Sequence, residues 1–240
     1  MNIVIPMAGL GTRFSVQGYK IAKPFIEFNG RMMIEHVLAG LVYDKARYIL
    51  IIRQSFETEY ATQLTRIAQT FPVSFITIER VTAGAACTAL AAHTKINNQE
   101  PVLFADSDTI FDVTLISDMV TDAQARRLDG SLLTFESQDS CYSYAQINEE
   151  GEVLATLEKE VISTHAIAGA YYFAQGKDFV DAAIKMLIYA DSVKGEYYLS
   201  NVFNYIVSAK KKVGIFEVPS SKIHCVGTPQ QLEAYLHEYV

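Results

Sequence analysis

Ile3-Val4-Ile5, Tyr48 to Ile52, Val73 to Ile78 and Val102 to Ala105 are short apolar runs bounded by polar or glycine-bearing stretches. Runs of this length, rich in branched side chains, predict strands buried on both faces. Between them lie longer segments whose apolar positions recur every three or four residues. Arg31 to Leu41, with Met33, Val37 and Leu41 on one face, predicts a helix. Glu57 to Gln69 predicts another, as does the small-residue segment Gly84 to His93. Strand and helix in alternation predict a parallel sheet with helices on both faces.

The rhythm changes after Leu128. Ser131 to Phe135, Ser143 to Ile147, Val153 to Glu158 and Ala166 to Ala174 predict strands, with Asn148-Glu149-Glu150-Gly151 as a hairpin turn. Lys177 to Tyr189 and Tyr198 to Ala209 predict helices, and Val213 to Val218 a further strand. Pro229 to Glu238 closes as a helix that Thr228 is placed to cap. Without repeats, low-complexity tracts or flexible linkers, the chain predicts one domain over residues 1–240, with an antiparallel insertion in its second half.

Composition narrows the classes. Half of the 240 residues are hydrophobic, and only 13 Gly and 6 Pro are present, which excludes a disordered or collagen-like chain. Acidic residues exceed basic ones, 27 to 20, for a net charge of −7. The one compact basic run, Lys210-Lys211-Lys212, ends a predicted helix and reads as solvated, so no nucleic-acid partner is expected. Cys87, Cys141 and Cys225 are odd in number and dispersed, which argues against a disulfide framework and a structural zinc site. No apolar run approaches the roughly 20 residues of a membrane span. Met1 to Pro6 lacks a signal-peptide pattern. A soluble cytoplasmic protein is expected, with no membrane partner; a homo-oligomer is left open.

Three segments carry candidate chemistry. Met7-Ala8-Gly9-Leu10-Gly11-Thr12-Arg13-Phe14 follows the first strand, where two glycines let backbone amides approach a polyphosphate. Phe14 stands where a dinucleotide fingerprint has its third glycine, and Arg53 where that fingerprint has an acid. No Gly-Lys-Ser/Thr follows either. The loop reads as another kind of phosphate cradle with Arg13 at hand, or as an ordinary strand-to-helix turn. Lys23, in Lys23-Pro24-Phe25, reads as one more surface lysine unless the fold sets it beside that loop, where it would stabilise charge on a transferring phosphoryl group. Asp106-Ser107-Asp108 follows a buried strand at the end where open sheets bind ligands. Its two acids suit Mg²⁺, or cap the next turn.

Taken in order, these segments resemble the NTP-transferase family of nucleotide-sugar pyrophosphorylases and small-molecule cytidylyltransferases. The resemblance covers nearly the whole chain. It runs through Gly9 to Arg13, Lys23-Pro24-Phe25 and Asn29 to Glu35, then Thr82 to Ala86 and Asp108 to Phe111. Glu158-Lys159, Ile167 to Phe173, Gly195 to Tyr198 and Gly227-Thr228-Pro229 continue it.

The resemblance implies a Rossmann-like, GT-A-like three-layer α/β sandwich with a mostly parallel mixed sheet. Residues 1–128 would form a nucleotide-binding half and 129–240 an acceptor-binding half. Ala8, Gly9, Gly11, Thr12, Arg13, Lys23, Gly84 and Asp106 would bind a nucleoside triphosphate, with Arg13 and Lys23 catalytic and Gly84 admitting the base. Asp108 would hold Mg²⁺. Glu158, Lys159, Gly169, Tyr171 and Glu196 would bind a phosphorylated small molecule, a sugar-1-phosphate or a choline-phosphate- or phosphonate-like acceptor. Pyrophosphate would be released. The segments Gly18-Tyr19-Lys20 and Gly84 to Thr88 lean toward the cytidylyltransferases of capsule or lipopolysaccharide synthesis.

One position departs from the family. Cys225 stands where many sugar-1-phosphate members carry a second metal-binding aspartate, and a thiol is a poor Mg²⁺ ligand. A catalytically silent nucleotide-binding homologue is the alternative expectation. The five histidines are dispersed, and no serine lies in a nucleophile elbow. His224 and Cys225 are adjacent on a strand and so point to opposite faces, which argues against a thiol enzyme. Of the tyrosines at 142, 144, 171, 172, 197 and 198, only Tyr171 is taken as a site candidate.

Overall fold

The computed structural model describes residues 1–239. β1 (Asn2–Pro6) leads through the glycine loop into α1 (Thr12–Val16), and a small hairpin, β2 (Glu27–Phe28) and β3 (Arg31–Met32), precedes α2 (Met33–Gly40). Then come β4 (Arg47–Arg53), α3 (Ser55–Glu59), α4 (Ala61–Thr70), β5 (Val73–Ile78), α5 (Ala85–Ala89) and α6 (His93–Ile96). β6 (Val102–Ala105), β7 (Thr109–Phe111) and α7 (Leu115–Ala125) follow. The second half holds β8 (Gly130–Glu136), β9 (Ser143–Ile147), β10 (Val153–Glu158), β11 (His165–Phe173) and α8 (Gly176–Ile188). It ends with α9 (Leu199–Ser208), β12 (Val213–Glu217), β13 (Ile223–Cys225) and α10 (Pro229–Tyr239).

The fold is the expected α/β type. β6, β1, β4 and β5 lie side by side in parallel. Side chains alternate between two cores: Ile3 and Ile5 of β1 pack with α2, α4 and α7, while Val4 packs with α5, α8 and α9. Both faces of the central sheet are therefore covered, which is why β6 and the middle of β1 and β4 are apolar without a break, while β5 carries polar positions. β11 runs antiparallel to β6 and β8, and β12 joins β8 in parallel, so the sheet is mixed.

One irregularity makes the site. β8 follows one edge of β11 along its length, but the opposite edge is shared: β6 pairs with Ala170–Phe173 and β9 touches Ala166. A bulge between Ile167 and Tyr171 separates the two pairings, with Gly169 at φ 73°. A bulge bends its strand and increases local twist. The β9–β10 hairpin, with Asn148–Gly151 at its turn as expected, thus joins the same edge of β11 just beyond the end of β6.

Several local expectations are corrected. The helix expected from Arg31 starts at Met33, because Arg31 and Met32 pair with β2 and Glu35 accepts the Met32 N–H at 2.8 Å. The helix expected over 57–69 breaks at Tyr60, whose ring stacks on Phe25 at 4.5 Å and whose hydroxyl accepts the Ala22 N–H at 2.9 Å. Gly84 to His93 is not one helix: α5 passes through a tight turn, Leu90–Ala92, into α6. α7 and β7 were not anticipated. The basic run is not simply solvated, since Lys211 bonds the buried Asp178 at 2.9 Å and Lys212 pairs with Glu152 at 3.1 Å. Thr228 caps α10, its hydroxyl accepting the Gln231 N–H at 3.2 Å. Among the described residues, no helix is long and apolar enough to cross a membrane.

Candidate active site

The glycine loop leaves β1 in the middle of the sheet, so its backbone emerges at the strand ends. Gly11 caps α1 with φ 63°, the left-handed region that glycine enters without strain. A Cβ at Gly11 would lie 3.1 Å from Lys23 Cβ, and one at Gly9 would meet nothing. The first glycine is thus open to a ligand, and the second lets Lys23 lie against the loop. Pro24 and Phe25 anchor the lysine from below, Phe25 wedged between Phe56 and Tyr60.

Asp106 and Asp108 follow β6. The Asp106 N–H donates to Gly169 O at 2.8 Å, tying the strand end to the β11 bulge. A Cβ at Gly169 would stand 2.7 Å from Asp106 Oδ2, so the glycine makes room for that carboxylate. β7 pairs with β13, bringing Cys225 opposite Thr109, and the Val226 N–H donates to Asp108 O at 2.8 Å. A Cβ at Gly227 would fall 2.4 Å from Asp108 Oδ2. The Lys23 ammonium bonds that same oxygen at 2.6 Å. Burial, and then the Asp108 charge, push the Asp106 carboxyl well above the usual range, while Lys23 opposes the shift. The Tyr171 hydroxyl, itself raised by burial and by Asp106, reaches toward Asp106 Oδ2 at 3.5 Å.

The hairpin supplies Glu158 and Lys159. Glu158 is bonded by Ser143 and, at 3.3 Å, by Ser200 from the start of α9. Lys159 stands at φ 56° with its N–H on Tyr142 O at 3.1 Å, and its ammonium donates to the Tyr198 hydroxyl at 3.1 Å. Tyr198 in turn donates to Glu196 at 2.6 Å. Gly84, with φ 119°, is pressed on the backbone of Tyr197, where a Cβ would sit 2.5 Å from the carbonyl oxygen. Close packing against this segment, rather than space for a ligand alone, requires glycine there.

These groups line one cleft with two lobes of about 370 Å³ each. Ala8, Gly9, Gly11, Thr12 and Gly84 lie in the glycine-loop lobe. Glu158, Lys159, Gly169 and Tyr171 lie in the hairpin lobe, and so does Asp106, which the sequence grouped with the glycine loop. Arg13, Lys23, Asp108 and Glu196 line both and form the partition between them. All the residues singled out in the sequence therefore meet in one place.

Sequence reasoning weighed Tyr198 and set it aside, and missed Ser143 and Ser200, whose signal lay only in their partners, and the Thr82–Thr88 hydroxyl pair of the glycine-loop lobe, 2.6 Å apart. His224 and Cys225 do point apart, His224 toward Tyr235 and Cys225 into the cleft.

Arg13, Lys23 and Lys159 face four carboxylates here, those of Asp106, Asp108, Glu158 and Glu196. A polyphosphate would meet a site that is not net positive by its side chains alone. Among the described residues no three His, Cys, Asp or Glu side chains are grouped to hold a metal. Two neighbouring carboxylates, both half-buried, fit Mg²⁺, which retains waters and takes phosphate oxygens for the rest. Cys225 does not join them: burial, and then Asp108, push its thiol up to about 12, and it bonds Tyr142 and Thr109.

Residues 3–236 match the Nucleotidyl transferase family. The mannose-1-phosphate guanylyltransferase catalytic subunit beta of Danio rerio is 26% identical over 183 residues, 72% of this chain and 50% of that protein. The chain spans about half the length of the curated relatives it matches. A nucleoside-diphosphate-sugar pyrophosphorylase from Vibrio cholerae RC9 superimposes with TM-score 0.87 at 22% identity, covering 98% of this chain and 99% of that one. The inositol-1-phosphate CTP transferase of T. maritima gives TM-score 0.76 at 14% identity, covering 99% and 93%. At these identities the superpositions show a shared fold.

Proposed function

The chain belongs to the nucleotidyl transferase family, and on that premise we propose that it joins the nucleoside monophosphate of an NTP to a phosphorylated small molecule and releases pyrophosphate, with Mg²⁺. One observation carries this reading: Arg13, Lys23 and Asp108 line both lobes at once. Two substrates, one in each lobe, would have their phosphates meet at that partition.

An acceptor phosphate oxygen attacks the α-phosphorus in line. The bond to the bridging oxygen of the β-phosphate breaks, and pyrophosphate leaves with the electron pair. The attacking oxygen is already anionic, so the reaction needs positioning and charge balance rather than a protein nucleophile. Asp108, with Asp106 beside it, would hold Mg²⁺, which supplies positive charge at the reacting phosphates. Lys23 exchanges its Asp108 contact for phosphate oxygens, and Arg13 adds a second, permanently charged donor. Gly9, Gly11, Ala8 and Thr12 line the triphosphate's path, and Thr82 to Ala85 the base end. Lys159 meets the acceptor phosphate, while Glu158, Tyr171 and Glu196 face the rest of the acceptor.

The reading leans toward cytosine as the base and takes the acceptor as a sugar-1-phosphate or a choline-phosphate- or phosphonate-like compound. The lean toward CTP is supported by the sequence resemblance through Gly84 to Thr88 and by the shared fold of the CTP transferase. An activated product of this kind suits the cytoplasmic supply of surface polysaccharide or capsule synthesis.

Pyrophosphate release, measured with Mg²⁺, the four NTPs and a panel of phosphorylated acceptors, tests the reading. Release with CTP and one acceptor class is the expected result. Tight nucleotide binding without release in any combination would support the second reading, a silent regulatory homologue, which the non-ligating thiol of Cys225 favours.

A further inference from the structure

Lys159 enters the cleft from an unusual backbone position. Its φ of 56° is left-handed, a region that costs a side-chain-bearing residue energy and directs its Cβ off the line of β10. A four-carbon stem would still leave the ammonium free to wander. Tyr198 removes that freedom: its hydroxyl accepts from Nζ at 3.1 Å, and its ring lies under the ammonium at 5.1 Å. The nearest carboxylate oxygen, Glu158 Oε1, is farther away at 3.8 Å.

Tyr198 is itself fixed. It donates to Glu196 at 2.6 Å and immediately precedes α9. Its neighbour Tyr197 is clamped to the glycine-loop lobe by two backbone bonds, Tyr197 N–H to Ala83 O at 2.7 Å and Ala86 N–H to Tyr197 O at 3.0 Å. The ring thus stands on a rigid strap crossing from one lobe to the other.

We propose that Tyr198 is a positioning residue that aims the Lys159 ammonium at the acceptor's phosphate, an inference resting on the reading of Lys159 as the ligand of that phosphate. A hydrogen bond and a ring contact to a cation are each worth several-fold in affinity. Tyr198→Phe keeps the ring and loses the hydroxyl; Tyr198→Leu loses both. The expected result is a KM for the acceptor raised about fivefold in the first variant and about twentyfold in the second, with the KM for the nucleotide and kcat within about twofold.

A second measurement needs no turnover. Reductive methylation of lysines, followed by mass spectrometry, should label Lys159 faster in both variants than in the parent protein, with the exposed Lys185 as the internal control. Unchanged Lys159 labelling in both variants overturns the proposal. So does a nucleotide KM that rises in step with the acceptor KM, which would mean that only the strap had been disturbed. If the parent protein releases no pyrophosphate with any substrate pair, the transferase reading fails, and the labelling still decides whether Tyr198 holds Lys159.

Discussion

The ammonium of Lys23 lies 2.6 Å from Oδ2 of Asp108, across 85 positions of sequence. Both side chains are about one-quarter exposed or less, at 21% and 24%. The two residues assigned to opposite tasks, one to phosphates and one to a cation, neutralise each other in the free protein. On the proposed reading, binding a metal and a triphosphate would part them, and that exchange would link the two ligands.

Lys23→Ala and Asp108→Asn should each lower turnover by about two to three orders of magnitude, the usual effect of deleting an electrostatic stabiliser of the transition state. The double variant should be no slower than the slower single one, because the groups act as a unit. Pyrophosphate assays decide this. Near-normal turnover in either single variant would remove its assigned role.

Chelation should abolish the activity and added Mg²⁺ restore it. An ion that binds only the folded chain raises stability by mass action. Mg²⁺ should therefore raise the Tm of the metal-free protein, and Asp108→Asn should erase that rise. An equal shift in the variant would place the metal elsewhere.

Two glycines should fail in different ways. Gly227→Ala puts a Cβ 2.4 Å from Asp108 Oδ2, the far end of a side chain. The carboxylate yields, so turnover should fall about tenfold or more with little change in Tm. Gly84→Ala meets the Tyr197 backbone at 2.5 Å and needs φ 119°. Neither can yield, and a loss of about 1–3 kcal/mol in stability is expected from denaturant titration.

Cys225 sets a pH dependence. Its ordinary value is 9.0, and burial followed by the Asp108 charge pushes it up to about 12. Below pH 9 the thiol is protonated in both folded and unfolded chains and contributes no slope. Above that, the unfolded chain ionises first, so stability should fall as pH rises through this window. Metal-free Cys225→Ser protein should show a shallower fall. Alkylation of Cys225 at pH 8 should be much slower in the folded protein than in the denatured chain.

Lys211 bonds Asp178 at 2.9 Å, and that carboxylate is only 6% exposed. Lys211→Ala would leave it without its cation, and a loss of about 1–2 kcal/mol is expected. Thermal or urea unfolding measures it. No change would return the basic run to the solvated role its sequence suggests.

β6 was legible because burial on both faces leaves an uninterrupted apolar run, and β5, β9 and β10 because apolar positions recur between turn signals. β5, β6, β9 and β10 begin and end where the pattern places them. α7 was legible in principle, since Leu115, Ile116, Met119, Val120 and Ala123 repeat at helical spacing. β7 was not: three residues carry no period, and its partner β13 lies more than a hundred positions later. The small hairpin β2–β3 shortens α2 by competing for the same backbone groups, which no local propensity reports.

The residue types of the cleft, its glycine loop, its strand-end acids and the lysine of the hairpin were all written in the chain, because each is required by its own neighbours. Their company was not. Whether Lys23 faces phosphate or solvent, whether Asp106 sits with the glycine loop or the hairpin, and what Cys225 touches depend on where β11 bulges and which strands its two edges accept. Gly84 shows the limit most plainly. The resemblance gave it the task of admitting the base, and the packing adds a second reason for glycine, since a Cβ there would strike the backbone of Tyr197. Local pattern determines which groups reach the ends of the strands, since backbone hydrogen bonding and burial act over a few residues. Distances between those groups are decided by the packing of the whole sheet, and with them the partition between two lobes that the proposed reaction requires.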